Sequence, residues 1–141
     1  MSQSVLAAVD LDHDVVSAEI LRRAASIAEQ DDAQLSVITV VPELGPSYAT
    51  TFFENDDQRK PLEAAQAGLH KLVDRILPDH GPMHHVVGSG SIYEKVLEAA
   101  GAVDADLIVI GAAKPGAAVF LLGPNAERVA RHFAGSVLIV R

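Results

Sequence analysis

Residues 106–141 read DLIVIGAAKPGAAVFLLGPNAERVARHFAGSVLIVR, and the order of apolar and small residues in this stretch decides the fold. Leu107, Ile108, Val109 and Ile110 form an apolar run that stops at Gly111. A loop rich in glycine and alanine follows and carries one cation, Lys114. Gly123 and Pro124 then open an amphipathic helix, and Val137, Leu138, Ile139 and Val140 make a second apolar run. The stretch is therefore strand, small-residue loop, helix start and strand. Backbone amides at a helix start, beside glycines that permit close approach, form a site for an anion such as phosphate.

Upstream, the same alternation repeats. Residues 5–9 are a short apolar run ending at Asp10, expected as a buried strand. Asp12, His13 and Asp14 offer N-cap candidates. Val16, Ile20, Leu21, Ala24, Ile27 and Ala28 recur at helical spacing and mark the first helix. Residues 35–41 are the second strand, with Ser36 and Thr39 interrupting its apolar run and Pro42 ending it.

Residues 42–58 are rich in turn formers (Gly45, Pro46, Ser47, Asn55, Asp56, Asp57) and predict a long loop, of the kind that is often functional or mobile. Leu62, Leu69, Leu72, Val73 and Ile76 mark the second helix, with Pro61 near its start and Pro78 beyond its end. Residues 83–87 are a short third strand. Ser91 and Glu94 have capping-box spacing for a third helix with Val96, Leu97, Ala100 and Val103 inward. Residues 107–110 are the fourth strand. A fourth helix after Gly123 is expected to bury Ala126, Val129, Ala130 and Phe133 and to be capped by Gly135. Residues 137–140 are the fifth strand.

Continuously apolar strands alternating with one-faced helices imply an α/β fold: a doubly wound parallel sheet with helices on both faces. Such a sheet places its ligand crevice at the carboxyl ends of the strands, at a topological switch point. Asp10, Val41, residues 88–91 and Gly111 lie at those ends.

Composition narrows the function. The 141 residues fit one domain, and a chain of this length buries roughly 68–70% of the surface it exposes unfolded. Hydrophobic residues make up 49% but aromatics only 4%, so the core is aliphatic. A net charge of −8 argues against general nucleic-acid binding. The absence of cysteine excludes disulfides, thiol catalysis and cysteine metal sites. No apolar run approaches the ~20 residues that cross a membrane, so a cytoplasmic protein without membrane attachment is expected.

The six histidines raise the question of a metal. His84 and His85 are adjacent in a strand and point to opposite faces, so they do not readily share one, and no metal is expected. Ser91 and Ser136 have no His/Asp partners at readable spacing, so no nucleophilic triad is supported. Arg22 and Arg23 fit a solvated helix face. The third strand ends in Val86, Val87 and Gly88, without the acidic group that a phosphoacceptor receiver needs there.

Taken over its whole length, the chain resembles the universal stress proteins. The resemblance rests on an Asp after strand one, V-I-T-V-V-P at strand two, the long loop, G-S-x-x-x-K-V-L at helix three, D-L-I-V-I-G, L-L-G and a final V-L-I-V-R. It implies five parallel strands in the order 3-2-1-4-5, a single domain over 1–141, and a stress-response regulatory protein. It also implies a homodimer through the last strand (Val137, Leu138, Ile139, Val140), an exposed edge that invites pairing with a copy of itself.

Family members that bind ATP carry G-x-x-G, nine residues, then G-[ST]. Gly111 fits the first glycine, Lys114 stands where the second would be, and eight residues lead to Gly123. The basic residue and shorter spacing are similar to a subgroup of small bacterial members. Pro124, where Ser or Thr is expected, departs even from that subgroup. Carried over position by position, Ala8, Val9 and Asp10 match the strand-one end near the nucleotide, and Val40 and Val41 the strand-two end near adenine. Gly90 matches the glycine before helix three. Gly111, Lys114, Gly123, Pro124 and Asn125 match the ribose and phosphate loop.

The implied cofactor is ATP or another adenine nucleotide, with Mg as companion, or none at all if Pro124 has abolished binding. Proline offers phosphate neither a hydroxyl nor an N–H. Three functions stay open: a nucleotide-binding regulator without turnover, a dimeric scaffold that has lost ATP, and a slow nucleotidase or autophosphorylating enzyme. The third has least support, because no Walker lysine-serine pair and no second acid is present. At single residues too the bland readings stand beside these. Asp10 also fits a helix cap, Gly111 and Gly123 also fit turn glycines, and Lys114 also fits a solvated loop cation.

Overall fold

The computed structural model describes residues 2–41, 55–112 and 122–141, and of residues 55–59 the backbone alone. Among them lie β1 (Ser4–Ala8), α1 (Asp14–Asp31), β2 (Gln34–Val41), α2 (Asn55–Ile76) and β3 (His84–Ser89). They are followed by α3 (Ile92–Ala102), β4 (Leu107–Gly111), α4 (Pro124–His132) and β5 (Ser136–Val140). The sheet is parallel throughout, in the order β3-β2-β1-β4-β5. This is the order that the resemblance implied.

Successive side chains on a strand face opposite ways, and here both faces are covered. Val5, Ala7 and Val9 of the β1 segment, with Val37 and Val109, meet Leu21, Ala24, Leu69 and Val73 of α1 and α2. Leu6, Ala8, Ile38 and Ile108 meet Val96 and Ala100 of α3 and Ala126 and Val129 of α4. The continuous apolar runs thus reflect strands buried on two sides.

Four expectations need correction. Asn55, Asp56 and Asp57 belong to α2 rather than to a loop, and Pro61 lies inside that helix. Asn and Asp are favoured both in turns and at helix starts, so their presence alone does not separate the two. Pro61 is the seventh residue of α2, past the first four amides that lack helical partners, so its missing N–H forfeits one helical bond. The capping box is not formed: Ser91 is the N-cap of α3 without a side-chain hydrogen bond. Ala130 is exposed, and the inward face of α4 is the narrower pair Ala126 and Val129 with Phe133 half-buried. Gly135 does not cap α4, whose C-cap is Phe133. A Cβ at Gly135 would sit 2.7 Å from the Asp106 carbonyl oxygen and 2.7 Å from the Phe133 ring. That glycine is there for close approach, not for a left-handed turn.

Candidate functional site

The carboxyl ends of β1, β2, β4 and β3 converge on one edge of the sheet, and there the chain turns at Asp10. Its amide donates to Ser17 Oγ (3.0 Å), and the Ser17 hydroxyl donates back to the Asp10 carbonyl (2.7 Å). That carbonyl also accepts the His13 amide at 3.0 Å. The carboxylate itself accepts the Asp12 amide at 2.9 Å and lies 3.7 Å from His13 Nε2. Ser17 is buried within α1 and holds the turn that presents Asp10 to solvent. Sequence reading overlooked Ser17. Its signal was a hydroxyl on the inward stripe of an otherwise aliphatic helix, three residues before Ile20.

Ala8 and Val9 are buried on opposite faces of the sheet. The Val9 amide donates to the Ile38 carbonyl (2.9 Å), and its carbonyl accepts the buried Thr39 hydroxyl (3.0 Å). These two residues contribute shape rather than free polar groups. Val40 is half-buried at the β2 end. The Val41 carbonyl accepts the Gly90 amide at 3.0 Å, and Gly90 has φ 116°, a conformation open chiefly to glycine. That bond ties the β2 end to the turn leading into α3.

Gly111 ends β4 against α1. A Cβ there would lie 3.3 Å from Val16 Cγ1 and 3.5 Å from Ile20 Cδ1, so its bareness lets helix and strand approach. Lys114 lies outside the described residues. Gly123 is the N-cap of α4 and Pro124 its first residue. The Gly123 amide donates to the Ala112 carbonyl at 2.6 Å, which brings the two ends of the 113–121 segment together. The first amides of a helix have no carbonyl partner within it. With Gly123 engaged and Pro124 lacking an N–H, Asn125 and Ala126 are the amides left to face an anion.

Among the described residues, three large apolar side chains are exposed around this edge: Val15 at the start of α1, Ile92 at the start of α3 and Leu122 before α4. A cavity of about 520 Å³ lies elsewhere. It is lined by Glu29, Ala33, Leu35, Ile76, His80 and Met83, among others, and by none of the residues expected to form the site.

A family profile described as "Universal stress protein family" matches residues 1–141. The chain is 31% identical over 144 residues to universal stress protein G of Shigella flexneri, and to that of Salmonella typhimurium, with all of each chain covered. A universal stress protein in complex with cAMP superposes with a TM-score of 0.69 at 25% identity, over 99% of this chain and 97% of the other. The Archaeoglobus fulgidus universal stress protein in complex with dAMP gives a TM-score of 0.59 at 22% identity, over 99% and 98% of the two chains, a likeness of fold.

Proposed function

The chain belongs to the universal stress protein family, and from that membership we propose that it binds an adenine nucleotide at the carboxyl edge of its sheet, with one phosphate gripped and the outer phosphates left to solvent. The observation that carries this reading is the set of donors at the start of α4. The Gly123 amide is engaged by Ala112, Pro124 has none, and Asn125 and Ala126 remain. Two adjacent amides at a helix start suit a single phosphate group. Asp10 stands exposed across the edge at the end of β1, where a carboxylate can accept a ribose hydroxyl. The relative seen with cAMP, itself a nucleotide with one phosphate, supports the same ligand class. In this reading the protein is a cytoplasmic regulator that responds to occupancy and turns nothing over.

Titration calorimetry with AMP, cAMP and ATP tests it. AMP or cAMP is expected to bind at least as tightly as ATP. Pro124→Ser restores a hydroxyl and an N–H, and a hydrogen bond to a charged group is worth about 1.5–3 kcal/mol, so ATP affinity should rise by about tenfold or more. Absence of both heat and thermal stabilisation at millimolar nucleotide removes the proposal for the natural chain. If binding then emerges in the Pro124→Ser protein, the second reading holds: a scaffold of the same fold that has lost its ligand, which Pro124 alone favours.

Under either reading the unit is a homodimer formed along β5. This strand is an outer edge of the sheet, and its Val137, Leu138 and Ile139 are half-buried rather than buried. An apolar edge with no charged residue is a template for pairing. Light scattering at micromolar concentration should give twice the chain mass, and a monomer there contradicts the assignment.

A further inference from the structure

At the opposite outer edge of the sheet, β3 meets α2 through a group of imidazoles that the nucleotide reading does not use. The His70 ring of α2 lies over the His85 ring of β3, with centroids 3.9 Å apart and planes 22° apart. His80, in the turn between the two elements, approaches His85 edge-on at 6.2 Å. The rings stack instead of converging, and among the described residues no three side chains are arranged to hold a metal.

The hydrogen bonds define what each ring does. His80 has Asp74 Oδ1 at 2.9 Å from Nε2 and the Gly81 carbonyl at 2.7 Å from Nδ1. Both neighbours are acceptors, so this ring is served best when each nitrogen carries a proton. His70 Nε2 lies 3.0 Å from the Gln66 amide nitrogen, a donor, and is placed to accept from it. His85 Nδ1 lies 3.2 Å from the Met83 carbonyl, and its Nε2 is buried without a partner.

The charges facing His85 are His70 and Asp74 from α2 and His80 from the turn, while β2 presents Val37 in register beside it. Asp74, the one carboxylate of that set, is engaged by His80. A proton added at His85 Nε2 would therefore put a charged, unpartnered N–H into a buried position against a stacked imidazole.

We propose that the His70–His85 stack is a proton-operated latch: neutral rings clamp the edge strand β3 to α2, and protonation of His85 separates them and frees the strand. Burial first, and then the neighbouring His70, hold the His85 imidazole below its ordinary value. Its contribution to stability is therefore complete above about pH 6.5 and is lost as the pH falls from there through the lowered value. His80 runs the other way. The Asp74 hydrogen bond, and then the Gly81 carbonyl, raise it, so its contribution is complete below about pH 6.5 and is lost as the pH rises past the raised value. On acidification the turn at His80 tightens while the stack gives, which confines the opening to β3. The carboxyl end of β3 leads to Gly90 and its bond to Val41, so the opening is expected to reach the crevice. That last consequence rests on the nucleotide reading; the latch does not.

Hydrogen exchange of the full chain, followed by mass spectrometry at about pH 7.5 and about pH 5.5 and corrected for intrinsic rates, tests the latch without any ligand. Protection of residues 84–89 is expected to fall about tenfold more than that of the central strand β1. His85→Phe, which keeps a stacked ring but accepts no proton, should abolish the difference. An equal change in the two strands, or an undiminished drop in His85→Phe, overturns the proposal. Should that variant fail to fold, an imidazole NMR titration of the natural chain decides it. His80 taking its proton before His85 supports the latch, and the reverse order overturns it.

Discussion

Asp106 and Asp10 sit at opposite ends of neighbouring strands and are used in opposite ways. At the amino end of β4, Asp106 accepts the amides of Gln3 at 2.7 Å and Ser4 at 3.2 Å through one carboxylate oxygen. Its own amide donates to the Ser4 carbonyl, and its carbonyl accepts the Ser136 amide. It thereby joins three strands, and Ser4 adds a bond from its hydroxyl to the Val103 carbonyl. Beyond the carboxyl end of β1, the Asp10 carboxylate accepts one described amide, two residues away, and is otherwise exposed. The amino end ties Asp106 into bonds across three strands through Oδ2 and its backbone, while Oδ1 is buried without a described partner. The carboxyl end presents a carboxylate, helix-start amides and three exposed apolar side chains. What sets the carboxyl end apart is that its unengaged polar groups are exposed, where a ligand can reach them.

The largest expected effect tests that contrast directly. Asp106→Ala removes an acceptor from two backbone amides, each worth about 1.5–3 kcal/mol when the partner is charged; partial exposure to water reduces the pair to roughly 3 kcal/mol in all. Asp10→Ala should cost under about 1 kcal/mol, because solvent already reaches that carboxylate. Urea unfolding of the two variants compares them. Equal losses would break the distinction between a knitted end and an open one. Acid sharpens it. Burial alone would raise the Asp106 carboxyl, but the hydrogen bonds from Gln3 and Ser4 outweigh it and hold the group below the usual carboxylate range. Its contribution is present above about pH 4 and is lost as the pH falls through the lowered value. The urea midpoint of Asp106→Ala should therefore fall less between about pH 5 and about pH 3 than that of the natural chain.

The two ends also differ in how far the sequence discloses them. Aliphatic runs at residues 5–9, 35–41 and 107–110 locate the central strands, because a strand buried on both faces has no polar alternation to confuse with a loop. The positions of Asp10, Gly90, Gly111 and Gly123 at strand ends or helix starts follow from that. What each group is bonded to does not follow. Engagement of the Gly123 amide by Ala112, and of the Val41 carbonyl by Gly90, depends on atoms far apart in sequence. Ser17 lies on an aliphatic helix stripe, and helical spacing alone does not show that it holds the Asp10 turn. Ser91 and Glu94 have the right spacing for a capping box, but spacing does not fix side-chain rotamers, and the bond is not made. Lys114 and most of the 42–58 segment, both singled out by sequence, lie outside the described residues.

A smaller effect separates the glycines at the two ends. Gly135, at the amino end beside β5, faces fixed atoms: a Cβ would lie 2.7 Å from the Asp106 carbonyl oxygen and 2.7 Å and 2.9 Å from two carbons of the Phe133 ring. Neither the carbonyl, which accepts the Ser136 amide, nor the ring, packed against the core, can yield without moving strand β5. Gly135→Ala should cost about 2 kcal/mol, within the usual range for overpacking. Gly111, at the carboxyl end, faces only the methyl ends of Val16 and Ile20 at 3.3 Å and 3.5 Å. Those side chains turn by a few tenths of an ångström, so Gly111→Ala should cost less than about 1 kcal/mol. If thermal unfolding instead ranks Gly111→Ala as the worse variant, the carboxyl end is as tightly packed as the amino end. The room attributed there to a nucleotide would then not exist.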